Sequence, residues 1–263
     1  MEKLSNTERQ LRAKLKYEGS IFKTTKSGDL EVIHYDSSVK VKVRFVESGF
    51  ERLARLTDIL KGEVRDNSVS TVFNFGICDI AGYVNGVNTA EYVYWVCMLE
   101  RCYEKSGRSG ASYLDCTVSQ KFRRLSDFSR WCENQTGFKN VDDKGRKYHL
   151  DKDILVKGNK EYSPETCCFV PQEVNKLLLK RDRSRGAYPV GVHYNKAAKK
   201  YQARLKKCDG RYYLGTFDTP EEAFYVYKRE KEEYIKEVAN KWKDKIDTRV
   251  YESLMNYQVE ITD

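Results

Sequence analysis

His149 is one of only three histidines among 263 residues, and its neighbours are the residue types that phosphodiester chemistry uses. His149-Leu-Asp151-Lys-Asp153 is followed by Asn159 and then by Ser163-Pro-Glu-Thr166. A neutral imidazole can take a proton from water, while Asp and Asn oxygens hold a hard divalent cation, magnesium or manganese, against a scissile phosphate. His149 is the histidine placed to act as that base.

A second stretch could bind rather than cut. Gln202, Arg204 and Lys206 alternate with Tyr201, Ala203 and Leu205, so a strand here carries a polar, basic row on one face and apolar residues on the other. Cys208-Asp-Gly210 signals a hairpin, and the return strand over 211–217 repeats the alternation. Between residues 180 and 215 eleven Lys and Arg stand against two acids, a surplus equal to the whole formal charge of +9. Such concentration suits phosphate neutralisation with counterion release.

These residues need scaffolding, and the sequence supplies it in three parts. Residues 1–85 read as a small β-rich domain: a helix over 4–17, strands near 20–24, 30–35 and 39–46, and a short helix over 51–60 stopped by Gly62. No chemistry is legible there; His34 stands alone, and the part leaves room for a protein partner. Residues 86–179 hold a helix over 88–104 with Trp95, Met98, Leu99 and Cys102 on one face, and a core stripe of Phe122, Leu125, Phe128 and Trp131. A strand–loop–helix order around His149 follows, with a helix start at Ser163-Pro-Glu165 and a further short helix over 174–180. Residues 180–186 read as a linker. Thr219-Pro-Glu-Glu222 then opens a long helix with Ala223, Tyr227, Tyr234 and Val238 on one face. The expected class is α+β, ending in a three-stranded antiparallel sheet backed by one helix.

Composition narrows the setting. At 40% hydrophobic and 33% charged residues the chain suits a globular protein, and its longest uncharged apolar run, 92–99, is too short to cross a bilayer. Residues 1–18 are charged throughout, so no signal peptide is expected. The eight cysteines include no C-x-x-C pair and read as reduced, mostly buried thiols of a cytoplasmic protein, the host cytoplasm if a phage encodes it.

Two resemblances sharpen these expectations. Gly191-Val-His193, Tyr201-x-Ala-Arg-Leu-Lys206, Arg211-x-Tyr-Leu-Gly-Thr-Phe-Asp-Thr219 and Glu221-Glu-Ala223 together resemble the Apetala-type (ethylene-response-factor) DNA-binding domain over about a fifth of the chain. That family lays a three-stranded sheet in the major groove of double-stranded DNA. The resemblance implies that His193, Asn195, Arg204, Lys206, Arg211 and Tyr213 face DNA, and the basic row adds Lys199, Lys200 and Gln202. His193, Arg204 and Lys206 stand where the plant proteins usually carry Arg, Glu and Arg, so the plant target does not carry over. Arg204 and Arg211 can still read guanine edges.

Residues 91–175, through Trp95-Val-Cys-Met-Leu-Glu-Arg-Cys-Tyr103, Phe128-Ser-Arg-Trp131, Leu150-Asp-Lys-Asp-Ile-Leu155, Gly158-Asn-Lys160 and Tyr162-Ser-Pro-Glu-Thr-Cys167, resemble phage HNH-type homing endonucleases. His149 matches that family's base, but Tyr148 sits where a ligand belongs, and Thr166 and Cys167 fall where the last Asn or His would lie. Asp151, Asp153 and Asn159 are the substitutes the sequence offers. Two functional expectations stay open: a metal-dependent, site-specific endonuclease, and a former nuclease kept as a DNA-binding regulator or inhibitor. Structured RNA is a third target class for the basic sheet.

Overall fold

The computed structural model describes residues 5–69, 72–84, 87–104, 113, 115–178 and 188–263; the loop expected at 107–112 and the linker expected at 180–186 lie outside them. Helix α1 (Asn6–Tyr17) starts at a reciprocal cap, in which Ser5 Oγ accepts from the Glu8 amide at 3.2 Å and Glu8 Oε2 accepts from the Ser5 amide at 2.8 Å. Strands β1 (Ile21–Lys23), β2 (Asp29–Ser37), β3 (Lys40–Phe45) and β4 (Glu51–Ala54) form an antiparallel sheet in chain order. Alternation sends Leu30, Val32, Val41, Val43 and Phe45 to one buried face, and a register shift after Val32 brings Tyr35 onto the same side.

The helix expected over 51–60 is strand for its first half. Arg52 pairs with Val43 and Ala54 with Val41, so this segment completes the sheet, and only Leu56–Leu60 turns into helix α2. Gly62 ends it with a φ of +68°, where a Cβ would meet the Lys23 carbonyl at 2.9 Å. His34 Nδ1 lies 3.1 Å from Glu18 Oε1, and Glu18 also accepts from the Tyr35 amide, which ties α1 to β2.

A short ladder of β5 (Tyr83–Val84) and β6 (Val87–Asn88) leads into helix α3 (Ala90–Tyr103), capped by Thr89. Trp95, Met98 and Leu99 are fully buried, and Trp95 Nε1 donates to the Phe122 carbonyl at 2.8 Å. Strand β7 (Thr117–Val118), a 3-10 turn at Gln120–Phe122 and helix α4 (Leu125–Glu133) carry the predicted stripe inward: Phe122, Leu125 and Phe128 are buried and Trp131 packs on them. Next come β8 (His149–Asp151), β9 (Glu161–Tyr162), β10 (Cys168–Val170) and helix α5 (Gln172–Leu177). β10 pairs antiparallel with β8, and β9 pairs parallel with β7.

Ser163 does not open a helix. Its hydroxyl meets Thr166 Oγ1 at 3.0 Å across a single turn, and the fully buried run Cys167–Val170 continues as a strand. Three short strands, of which β8 and β10 pair with each other, therefore precede the helix, and α5 takes the helical place.

Strands β11 (Val192–Asn195), β12 (Lys200–Lys206) and β13 (Arg211–Phe217) form the expected three-stranded antiparallel sheet. Helix α6 (Pro220–Trp242) backs it, starting at a Thr219–Glu222 capping box with Pro220 in the first turn. Ala223, Tyr227, Tyr234 and Val238 are buried beneath the sheet as their spacing predicts. Helix α7 (Thr248–Met255) folds back on α6.

Two hydrophobic cores result. One lies inside the N-terminal sheet; the other runs continuously through the central segment and the C-terminal sheet and helix. No helix among the described residues is long and apolar enough to cross a membrane. All eight cysteines are free: Cys116, Cys132, Cys167 and Cys168 are buried, Cys78 and Cys102 half-buried, and Cys97 and Cys208 exposed.

Candidate nucleic-acid interface

The sheet β11–β13 has two unlike faces because its inner residues must cover α6. Val192, Ala203 and Leu205 point inward and are buried. Gly191, just before β11, sits at a φ of +78°, where any Cβ would lie within 2.5 Å of the Tyr227 ring. The small residue lets the sheet settle directly on the helix.

The outer face is fixed by register. His193 pairs with Gln202 and Gln202 with Thr216; Arg204 pairs with Tyr213, and Lys206 with Arg211. Antiparallel partners share a face, so these seven side chains make one continuous polar grid. His193, Arg204, Lys206, Arg211, Tyr213 and Thr216 are exposed, and Gln202 is half-buried among them. Among the described residues no carboxylate pairs with Arg204, Lys206 or Arg211. Burial, then the charges of Arg204 and Arg211, holds His193 below the usual imidazole range.

Three of the expected contact residues stand apart from the grid. Asn195 Oδ1 accepts from the amides of Ala197 and Ala198 at 3.0 and 3.2 Å, which closes the β11–β12 turn. Lys199 occupies that turn with a φ of 53° and is exposed. Lys200 pairs with Asp218 at 2.8 Å, an exposed ion pair at the sheet's end. The basic linker residues Lys180, Arg181, Arg183 and Arg185 lie outside the described residues.

Thr216 is the residue that sequence alternation missed. Counting by twos from Tyr213 sends it inward, but a register shift between Ala203 and Arg204 puts Ala203 opposite Gly215 and Arg204 opposite Tyr213. Leu214 is the extra residue of this bulge, which reverses the phase of β13 and brings Thr216 out to hydrogen-bond Tyr213, oxygen to oxygen at 2.6 Å. Glycine inside the strand, Gly215 at a φ of 140°, was the available signal.

At the second site, β8 places His149 and Asp151 on one face with buried Leu150 on the other. Burial lowers the His149 pKa, and the charges of Arg101, Lys176 and Arg146 lower it further against the opposing charge of Asp142. Asp151 Oδ1 is committed to the Asp153 and Ile154 amides at 2.9 and 3.0 Å. Its carboxyl is pushed up to about 6 by burial and by the neighbouring Asp153 charge. Asp153 pairs with the buried Lys152 at 3.2 Å.

Asn159 holds the loop shut. Its Nδ2 donates to the carbonyls of Lys152 and Glu161, each at 2.7 Å, and its Oδ1 accepts from the Glu161 amide at 3.3 Å. Among the described residues no three His, Cys, Asp or Glu side chains gather as a metal-holding group. A hard cation needs several free oxygens at once, and Asp151 Oδ1, one oxygen of Asp153 and the Asn159 amide are already engaged with backbone and with Lys152.

Comparison of the chain with protein-family models, with curated proteins and with solved structures gives no match.

Proposed function

We propose that the protein binds double-stranded DNA through the outer face of β11–β13, sequence-specifically, as its resemblance to Apetala-type domains implies. The observation that carries this is the grid of exposed Arg204, Lys206, Arg211 and His193 around half-buried Gln202, beside Tyr213 and Thr216, with no carboxylate paired to Arg204, Lys206 or Arg211 among the described residues. Three strands spaced about 4.8 Å apart span about 10 Å, which suits a major groove about 12 Å wide. The cations supply affinity through released counterions, and the flat donor-rich surface supplies contacts to base edges. The central segment then serves as the body against which the reading sheet is fixed, the part expected of a former nuclease kept as a regulator. Selection of duplexes from a random library by the full chain tests this. A recovered consensus bound more weakly after Arg204→Ala or Arg211→Ala, by about 1–3 kcal/mol each, supports the reading. Equal loss on cognate and random DNA removes the base-reading role.

A second reading is DNA cleavage by an HNH-like segment with His149 as base. The pairing of β8 with β10 ahead of α5, and a His149 whose charged form is disfavoured by burial and by Arg101, Lys176 and Arg146, favour it; the engaged donors of Asp151, Asp153 and Asn159 weigh against it. Incubation with phage and host genomic DNA in magnesium or EDTA, followed by end mapping, decides. Metal-dependent ends that disappear in His149→Ala, with DNA affinity retained, would establish cleavage.

A further inference from the structure

Arg204 Nη2 lies 2.6 Å from Gln202 Oε1, two residues along the same strand and on the same outward face. A guanidinium only donates, so the amide atom facing it must be the oxygen, and the Gln202 amide nitrogen is turned the other way. Gln202 is half-buried between His193 on β11 and Thr216 on β13, which leaves its side chain little freedom. Arg204 is exposed and without a carboxylate partner among the described residues. One end of its guanidinium is therefore anchored by Gln202.

We propose that Gln202 is a positioning residue for Arg204 and that the pair selects guanine over adenine at one base pair of the bound duplex; this rests on the DNA-binding reading above. Free glutamine reads adenine, accepting from N6 while donating to N7, whereas guanine offers two acceptors, O6 and N7. With one lone pair of Oε1 held by Arg204, Gln202 can grip adenine N6 and N7 together only by giving up or sharing that bond. What the positioned Arg204 presents outward is the pair of remaining guanidinium donors. Adenine, with its N6 amino group, leaves one of these donors facing another donor, and guanine satisfies both.

The test uses the full chain and three proteins: wild type, Gln202→Met and Gln202→Glu. Methionine keeps the length and shape but loses the amide oxygen; glutamate keeps an oxygen that accepts from Arg204. Affinities are measured for the selected duplex, for its single guanine-to-adenine variants, and for random DNA. The expected result is one position where wild type and Gln202→Glu prefer guanine by about tenfold or more, and Gln202→Met retains about twofold or less. A thermal melt and circular-dichroism spectrum of Gln202→Met that match wild type report that the sheet is folded. A guanine preference undiminished in Gln202→Met, or lost equally in Gln202→Glu, overturns the positioning role while the DNA-binding reading stands. Wild-type protein that binds no duplex overturns both.

Discussion

The indole Nε1 of Trp242 donates to Glu173 Oε2 at 2.8 Å, and Lys241 Nζ reaches the same oxygen at 2.6 Å. Trp242 ends the helix that backs the β11–β13 sheet, and Glu173 lies in the first turn of α5. Tyr148, beside His149, meets the Trp242 ring edge-on with centroids 6.3 Å apart. The segment that carries His149 and the sheet that carries Arg204 thus share one core, while the N-terminal sheet has its own.

Trp242→Phe keeps the ring packing but removes the donor to a carboxylate, and a loss of about 1–3 kcal/mol is expected. Hydrogen exchange in that variant should rise together over 149–177 and 200–242, with 21–45 unchanged. Rise in only one of the first two segments would mean that they unfold independently.

Asn159→Asp separates a loop clasp from a metal ligand. A carboxylate cannot donate to the Lys152 and Glu161 carbonyls, so the variant should lose about 1–3 kcal/mol in urea melts, with or without magnesium. Magnesium-dependent recovery of stability in Asn159→Asp would show that a cation sits there.

Acid sensitivity should depend on Asp142. Bonds from the Arg146 side chain and from the Arg146 and Lys144 amides hold its carboxyl down to about 2, from 3.8. A carboxyl lowered by folding adds stability that is complete above about pH 4 and fades as the pH falls toward 2. Asp142→Asn should flatten circular-dichroism acid titrations in that window; an unchanged curve would place the acid transition elsewhere.

DNA affinity should rise as the pH falls. His193 is held below its ordinary range by burial and by Arg204 and Arg211, and phosphates brought near it favour the charged form. The complex then binds a proton that the free protein lacks, so binding tightens as the pH falls through the imidazole range. His193→Gln should remove that slope in fluorescence anisotropy and leave affinity at pH 8 within about twofold. A slope that persists would assign it to another group.

Much of this was legible in the sequence, for identifiable reasons. The rows Gln202–Arg204–Lys206 and Tyr201–Ala203–Leu205 encode two faces outright, and Thr219-Pro220 encodes the start of α6, because period and capping are local. The first half of 51–60 misled because Arg52 and Ala54 are half-buried only once β3 lies beside them. Ser163-Pro164 looked like a cap, but long-range pairing of β10 with β8 overrode it. Thr216 was hidden by a bulge that only cross-strand register reveals. Asn159 has the right chemistry for a ligand, and nothing in its spacing says that both ends of its amide are used to close the loop.

The account turns on which way the β11–β13 face is used, and a triple variant, Arg204→Ala/Lys206→Ala/Arg211→Ala, measures that most directly. Full-chain binding to a selected duplex is followed by anisotropy across a salt series, with wild type alongside. The expected result is a logarithmic salt slope shallower by about 2–3, with sequence preference abolished and the thermal melt unchanged. A folded triple variant that keeps the wild-type slope and preference would contradict the account, because DNA would then be held by another part of the molecule.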